Sequence, residues 1–278
     1  MNRTMRVPCS YQGGKQRIAS QIVDHLLDAA SGSNSQFYDL CCGSGAVSIE
    51  LANRGIDPSR IHMLDISSWG PFWTAIGSGT FNMDVFELLL SQLPNDKRDY
   101  KAHMSSLSKL PVGDIEVELY PLLQACSFGG KQIWRNGECW MNNCFRDYWE
   151  PTVTSVRRSP ANPMQPGPVE LRRRIGDLVN GMRGVNCLKA DIMTTLSSSF
   201  PKDAVVYVDP PYKSTTKYGF SFDLSIFINR FREINQTPLF VSEGVPLNDN
   251  AILLTFGGAK GGISGVRKGK HQEWLCRF

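Results

Sequence analysis

Four apolar runs carry an aspartate at or beside their last position: "QFYDL" at Asp39, "RIHMLD" at Asp65, "VNCLKAD" at Asp191 and "AVVYVD" at Asp209. In open α/β sheets ligands bind outside the carboxyl ends of the strands, where strand order reverses. A row of acids there suits a ligand with several hydroxyls and amines. Any one of these aspartates would serve equally as a helix N-cap; the four together turn the reading toward binding. The last of them opens "DPPY". Proline has no N–H to give a sheet, so the buried strand must stop at Asp209. Asp209 then offers a carboxylate, and Pro210 offers a carbonyl with no competing donor. Pro211 restricts Pro210 to an extended conformation and so fixes where that carbonyl points. Tyr212 adds a flat face. Two acceptors and a stacking ring are an amine-binding set, although a merely rigid strand exit uses the same prolines.

Two glycine elements lie upstream. "DLCCGSG" places Gly43 and Gly45 at a strand-to-helix turn, where glycine tolerates positive φ. The dinucleotide pattern G-x-G-x-x-G is broken by Ser48 at its third position. "YQGGK", with Tyr11, Gly13, Gly14 and Lys15, lacks the spacing of a phosphate-binding Walker loop. Before a helix it suits an anionic group such as a carboxylate.

These residues need a scaffold. The 278 residues suit one α/β domain with a sizeable insertion, or two small domains. Helix from Gln16 to Ala30, strand, glycine turn, helix closed by Gly55, and strand "RIHMLDI" form a βαβ unit and hence a parallel sheet. Between Lys97 and Pro168 the alternation breaks down: a helix over Asp114 to Cys126, an aromatic-rich stretch with an Asn136-Gly137 hairpin turn, then the proline loop "SPANPMQPGPVE". Helix Val169–Arg183, strands ending at Asp191 and Asp209, a helix over Asp223–Gln236 and three closing strands, "PLFVSEG", "AILLTFGG" and "HQEWLCRF", complete the chain. The expected division is a catalytic unit of residues 1–96 and 169–278 and an inserted unit of residues 97–168.

Net charge is +4, which tolerates a polyanionic partner without demanding one. Eight cysteines without a C-x-x-C pair argue against zinc, so no metal is expected. There is no signal-peptide core and no apolar run near the ~20 residues of a membrane span. The expectation is a soluble, reduced protein of the cytoplasm, or of the host cytoplasm if the source is viral.

Assembled, these motifs resemble the Dam-like DNA adenine-N6 methyltransferases. "YQGGK" resembles that family's N-terminal cofactor motif, and "YDLCCGSG" its first-strand motif. "MLD" and "LKAD" resemble its later acids, and "DPPY" its catalytic tetrapeptide; "LFVSEG" and the basic segment before "EWLCRF" follow in order. The resemblance implies a Rossmann-like, mixed but mostly parallel sheet binding S-adenosylmethionine, with an inserted target-recognition subdomain. It implies that Tyr11, Gly13, Gly14, Lys15, Asp39, Gly43, Gly45, Asp65, Asp191 and Asp209 line the cofactor. Lys15 falls near the methionine carboxylate, Asp39 near its ammonium, Asp65 at the ribose and Asp191 at the adenine. Asp209, Pro210, Pro211 and Tyr212 become catalytic. The adenine N6 lone pair is delocalised into its ring, and acceptors on both N–H bonds draw it toward a nucleophilic geometry. The partner implied is double-stranded DNA with a flipped base, held by a monomer or weak dimer.

For DNA contact the candidates are Lys131, Arg135, Asn136 and Arg146 in the insert, with Arg267 and Lys268 in "VRKGK". An aromatic minicore with a solvated basic rim reads the same insert residues equally well. The family's F-N-V-P-x-G is replaced by "ECWMNNCF", and Gln132 and Trp134 stand where it has Arg and Asn, so its cognate sequences do not transfer. Leu40-Cys41 replaces Pro-Phe, and Ser67 stands where Asn is common. Rival readings are methylation of cytosine N4, RNA or a protein amide, and an inactive nucleic-acid-binding relative. The latter would be expected to have lost the acids that are present here.

Overall fold

Val205, Val206, Tyr207 and Val208 form a strand because β-branched and aromatic side chains fit a pleat covered on both faces. The computed structural model describes residues 4–197, 199–212, 220, 222–257 and 271–278. Among them the strands are β1 (Gln36–Leu40), β2 (Ile61–Leu64), β3 (Trp134–Asn136), β4 (Cys139–Met141), β5 (Asn186–Leu188), β6 (Ala204–Val208), β7 (Leu239–Glu243), β8 (Ile252–Gly257) and β9 (His271–Arg277). The helices are α1 (Ala19–Asp28), α2 (Ala46–Asn53), α3 (Trp69–Ser78), α4 (Met83–Ser91), α5 (Tyr100–Leu107), α6 (Glu116–Cys126), α7 (Pro168–Gly181) and α8 (Leu224–Ile234).

One seven-stranded sheet has the order β5-β2-β1-β6-β7-β9-β8. Its first five strands run parallel; β9 is antiparallel to both β7 and β8. This is the mixed, mostly parallel α/β sheet expected. The chain moves outward from β1 through β2 to β5, then returns to β6 on the other side of β1. The crevice of an open sheet therefore falls between the carboxyl ends of β1 and β6. Register aligns Leu40 with Leu64 and with Val208. Asp65 and Asp209 consequently leave the sheet level with one another, on either side of Cys41.

The turn after β1 is fixed by close approach. Gly45 has φ +75°, and a Cβ there would lie 2.3 Å from Trp73 Cζ2. At Gly43, φ is +50° and a Cβ would lie 2.8 Å from the Tyr11 ring. The indole of Trp73 donates to the Gly43 carbonyl at 2.9 Å. The glycines thus let the turn pack under Tyr11 and over α3.

Residues 97–168 supply α5, α6 and the β3–β4 hairpin. Buried Leu119, Tyr120, Leu122, Ile133 and Trp140 join the same apolar cluster as Ile22, Val47 and Phe72. The hairpin loop is Gly137-Glu138, one residue later than the Asn136-Gly137 turn read from sequence: Asn136 pairs with Cys139, and Gly137 takes φ +57°. A glycine at the first loop position carries the positive φ that a two-residue hairpin needs.

Gly45→Ala should lower stability by roughly 2 kcal/mol or more, since it adds both left-handed strain and overlap with Trp73. Thermal unfolding checks this; an unchanged midpoint would contradict the packing described.

Candidate active site

Three buried or half-buried carboxylates meet at the switch point. Asp39, at the end of β1, is 3% exposed and accepts the Ser48 hydroxyl at 2.6 Å. Burial, with the negative charges of Asp209 and Asp65, raises its pKa to about 7, against the lowering effect of Ser48. Asp65, just past β2, accepts Gly43 N–H at 2.8 Å, Ser67 N–H at 2.8 Å and the Ser67 hydroxyl at 2.5 Å. A carboxylate offers about four lone-pair positions, so Asp65 keeps roughly one acceptor for a ligand. Burial raises its pKa too.

Asp209 follows β6, and its N–H donates to the Leu40 carbonyl at 3.3 Å. Its carboxylate ion-pairs with Lys15 at 2.7 Å, with its side chain 19% exposed. Burial raises its pKa to about 6; Lys15 pulls it down, while Glu273 and Glu243 push it up. Lys15 does more than the sequence indicated. Its buried ammonium also lies 3.5 Å from Glu273, donates to the Gly13 carbonyl at 3.0 Å and sits 4.8 Å from the centre of the Tyr212 ring. Instead of standing clear for a cofactor carboxylate, Lys15 bridges two acids, because a buried carboxylate without a cation costs far more than one that is paired. Tyr212 donates its hydroxyl to Glu273, and burial pushes its phenol far up, so it stays a neutral donor. Pro210 is buried beside them.

The structure thus brings together Asp39, Asp65, Asp209, Tyr212, Lys15 and, through the Gly43 contact, Tyr11. Gly13 and Gly14 form the exposed turn ahead of Lys15, with Gly14 N–H on the Tyr11 carbonyl at 3.2 Å. Asp191 stands apart. It is exposed past the edge strand β5 and accepts Met193 N–H at 2.9 Å, the capping alternative noted for a single acid.

Of the DNA-contact candidates, Lys131 is half-buried, Asn136 is exposed on the hairpin and Arg146 is half-buried, with burial lowering its pKa. Arg135 differs from expectation. Its side chain is 7% exposed and pairs with Glu116. It also donates to the carbonyls of Glu138 at 2.6 Å and Leu110 at 2.9 Å, and lies over Trp140. It is spent on fastening the hairpin rather than offered to a base edge. Trp140 stacks on Tyr120, which meets Trp69 edge-on, so the aromatic minicore is real. The Arg135 N–H donates to Ser68 Oγ at 3.1 Å, tying the hairpin to the turn that follows Asp65. Arg267 and Lys268 lie outside the described residues.

Sequence reasoning passed over Ser48, Glu243 and Glu273. Glu273 shares the inward face of β9 with Leu275, and both are buried. An acid at an inward position of an alternating strand was the available signal. Among the described residues no group of three or more His, Cys, Asp or Glu could hold a metal ion. Cavities of about 550 and 170 Å³ lie elsewhere, the first lined by His25, Phe240, Arg277 and Phe278, the second by Met5, Gln16 and Asn53.

Residues 11–68 match the model of the D12 class N6 adenine-specific DNA methyltransferases. The resemblance to the Dam-like family therefore stands. The matched stretch runs from Tyr11 through Lys15, Asp39 and Asp65. It supports methyltransferase activity, and with it the S-adenosylmethionine that the family uses. No curated protein matches the chain. Among solved structures, the rRNA methyltransferase aviRa from Streptomyces viridochromogenes is similar at 14% identity, over 94% of this chain and 84% of that one, with a TM-score of 0.36. That likeness is too loose to bear on substrate. Among the described residues no helix is long and apolar enough to cross a membrane.

The donor set fits such a cofactor. A cluster of buried acids whose pKa values burial holds high gains from a ligand bearing cationic and hydroxyl groups. Asp39 is held in place by the Ser48 hydroxyl on its Oδ2. Asp39 folds with a raised pKa, so its stabilising contribution is complete below about pH 4 and is lost as pH rises through about 7. Asp39→Asn should therefore stabilise the ligand-free protein at pH 8 by roughly 1–3 kcal/mol, and by clearly less at pH 5. Unfolding at the two pH values checks this; destabilisation at pH 8 would make Asp39 a structural acid.

Proposed function

We propose that this chain methylates the exocyclic N6 of an adenine in double-stranded DNA, using S-adenosylmethionine. The observation carrying this reading is Asp209 and Pro210 at the switch point, with Tyr212 beside them and Asp39 and Asp65 on the neighbouring strand ends. The family matched at residues 11–68 is adenine- and DNA-specific by description, which supports this substrate.

Asp39 would hold the methionine ammonium, Asp65 the ribose with its remaining acceptor, and the turn of Gly43 and Gly45 would let the cofactor approach the backbone. When bound, the cofactor supplies an electrophilic methyl on a sulfonium. Asp209 and the Pro210 carbonyl would accept the two N6 hydrogens, drawing the nitrogen lone pair out of the ring. Their placement precedes any charge development, which is where preorganised dipoles act most strongly. Tyr212 would stack on the base, contributing about 1–3 kcal/mol toward the cost of flipping it. Lys15 now occupies Asp209, so the amine must displace it. A negative cofactor carboxylate would draw the ammonium away, which couples cofactor binding to exposure of the acceptor.

Lys131, Asn136 and Arg146 are the insert residues proposed to touch DNA, together with Arg267 and Lys268. Asp191 is proposed at the cofactor adenine. The insert of residues 97–168 is proposed as the target-recognition unit, built onto the common core.

Single-molecule sequencing of DNA from a methylation-free host expressing the gene, with nucleoside analysis of its RNA, tests the reading. N6-methyladenine at one DNA sequence is the expected result; modified cytosine, or methylation confined to RNA, would replace it. Since the acceptor must be ionised, kcat/KM should rise with pH through about 6. Asp209→Ala should lower kcat by about 10²-fold or more while cofactor affinity falls less. A pH-independent rate, or a fully active Asp209→Ala enzyme, would contradict the assignment.

A further inference from the structure

Glu273 sits on β9, antiparallel to β7 and two strands from β6, yet its side chain reaches back to the catalytic tetrapeptide. It is 4% exposed. Its Oε1 receives the Tyr212 hydroxyl and lies 3.5 Å from the Lys15 ammonium, which is itself 2.7 Å from Asp209. Lys15 also lies over the Tyr212 ring. These four side chains close a loop: acid, lysine, acid, tyrosine. A carboxylate is costly to bury without partners, and Glu273 takes both of these partners from the residues proposed to handle the target amine.

We propose that Glu273 is a positioning residue for methyl transfer, orienting the Tyr212 ring through its hydroxyl and sharing Lys15 with Asp209. This rests on the function proposed above and deepens it. A tyrosine on a chain exit has two free torsions; fastening its hydroxyl fixes the direction of the ring, and the Lys15 ammonium over the ring favours one orientation of its face. A second acid on Lys15 weakens its grip on Asp209, so an incoming amine competes against half a partner rather than a whole one. Glu273 also acts on Asp209 through space. Among the described residues, the charged and titratable groups facing Asp209 are Lys15 from the N-terminal segment, Glu273 on β9, Glu243 on β7, Asp39 on β1, Cys41 just past it, and Tyr207 and Tyr212 on its own segment. Of these, Lys15 pulls the Asp209 pKa down, and Glu273, with Glu243, pushes it up.

Two substitutions separate these effects. Glu273→Gln keeps an oxygen for the Tyr212 hydroxyl but removes the charge. Its acid limb in kcat/KM should move to lower pH than the parent's limb near 6, and its turnover should fall moderately, because Lys15 then pairs with Asp209 alone. Glu273→Ala removes both partners and should lower kcat by about 10–100-fold, with the dissociation constant for S-adenosylmethionine changed by less than about threefold. Fluorescence of a duplex with 2-aminopurine at the target position reports stacking without turnover. It should rise less quenched in Glu273→Ala than in the parent.

If Glu273→Ala fails to fold, the limb of Glu273→Gln remains decisive: a shift to lower pH supports the inference and an unshifted limb overturns it. A parent that methylates adenine, with a Glu273→Gln limb and Glu273→Ala kcat both unchanged, would overturn this inference and leave the proposed function standing. A Glu273→Ala loss confined to cofactor affinity or thermal stability would also overturn it, as a merely structural acid. A parent that methylates no adenine at all would remove both.

Discussion

Burial of carboxylates at the carboxyl ends of β2, β1 and β6 is the constraint on which everything else depends. Strand registry leaves no freedom here: Leu40 aligned with Leu64 and Val208 forces Asp65 and Asp209 out of the sheet side by side. Asp39 lies just below them with almost no solvent. Charges so placed repel one another and lose hydration, which is why burial raises the pKa at all three acids. The protein answers with Ser48, Ser67, the Gly43 amide and Lys15. A folded chain that retains such a cluster holds free energy in reserve for a ligand with cationic and hydrogen-donating groups, and perturbed acids gathered in one place are a mark of functional sites.

Lys15 is the mobile part of that arrangement in charge terms. It neutralises Asp209 in the ligand-free protein, and its other contacts, with Glu273 and the Gly13 carbonyl, keep it within reach of more than one anion. The Lys15 ammonium shows that the Asp209 carboxylate accepts from a nitrogen donor, as the proposed amine would require. The insert contributes in a different way. Arg135, Trp140 and Tyr120 weld it to the core, and its backbone reaches Ser68 beside the second acid. The hairpin and the acid cluster are thus joined by direct packing and hydrogen bonds.

Much of this was legible in the sequence. The parallel βαβ unit followed from apolar runs broken by glycine, and the DPPY exit from the inability of proline to continue a central strand. The hairpin was visible as well, displaced by one residue because Gly137, rather than Asn136, carries the positive φ. What sequence could not supply was the partner of each charge. Arg135 read as a DNA contact because its type suits base edges; only folding brings Glu116 and the Leu110 carbonyl to it across sequence gaps of 19 and 25 residues. Lys15 and Glu273 are at opposite ends of the chain, and nothing local announces their meeting. Asp191 matched the other acids by position in its strand, yet it emerges at the sheet edge in solvent.

Carbon-13 NMR of labelled aspartate side chains, titrated in the free protein and again with S-adenosylmethionine, tests the central claim most directly. Midpoints near 7 for Asp39 and near 6 for Asp209, with that of Asp39 falling when the ligand is added, are the predicted result. Midpoints in the ordinary aspartate range of about 4 in the free protein, unmoved by the ligand, would contradict it.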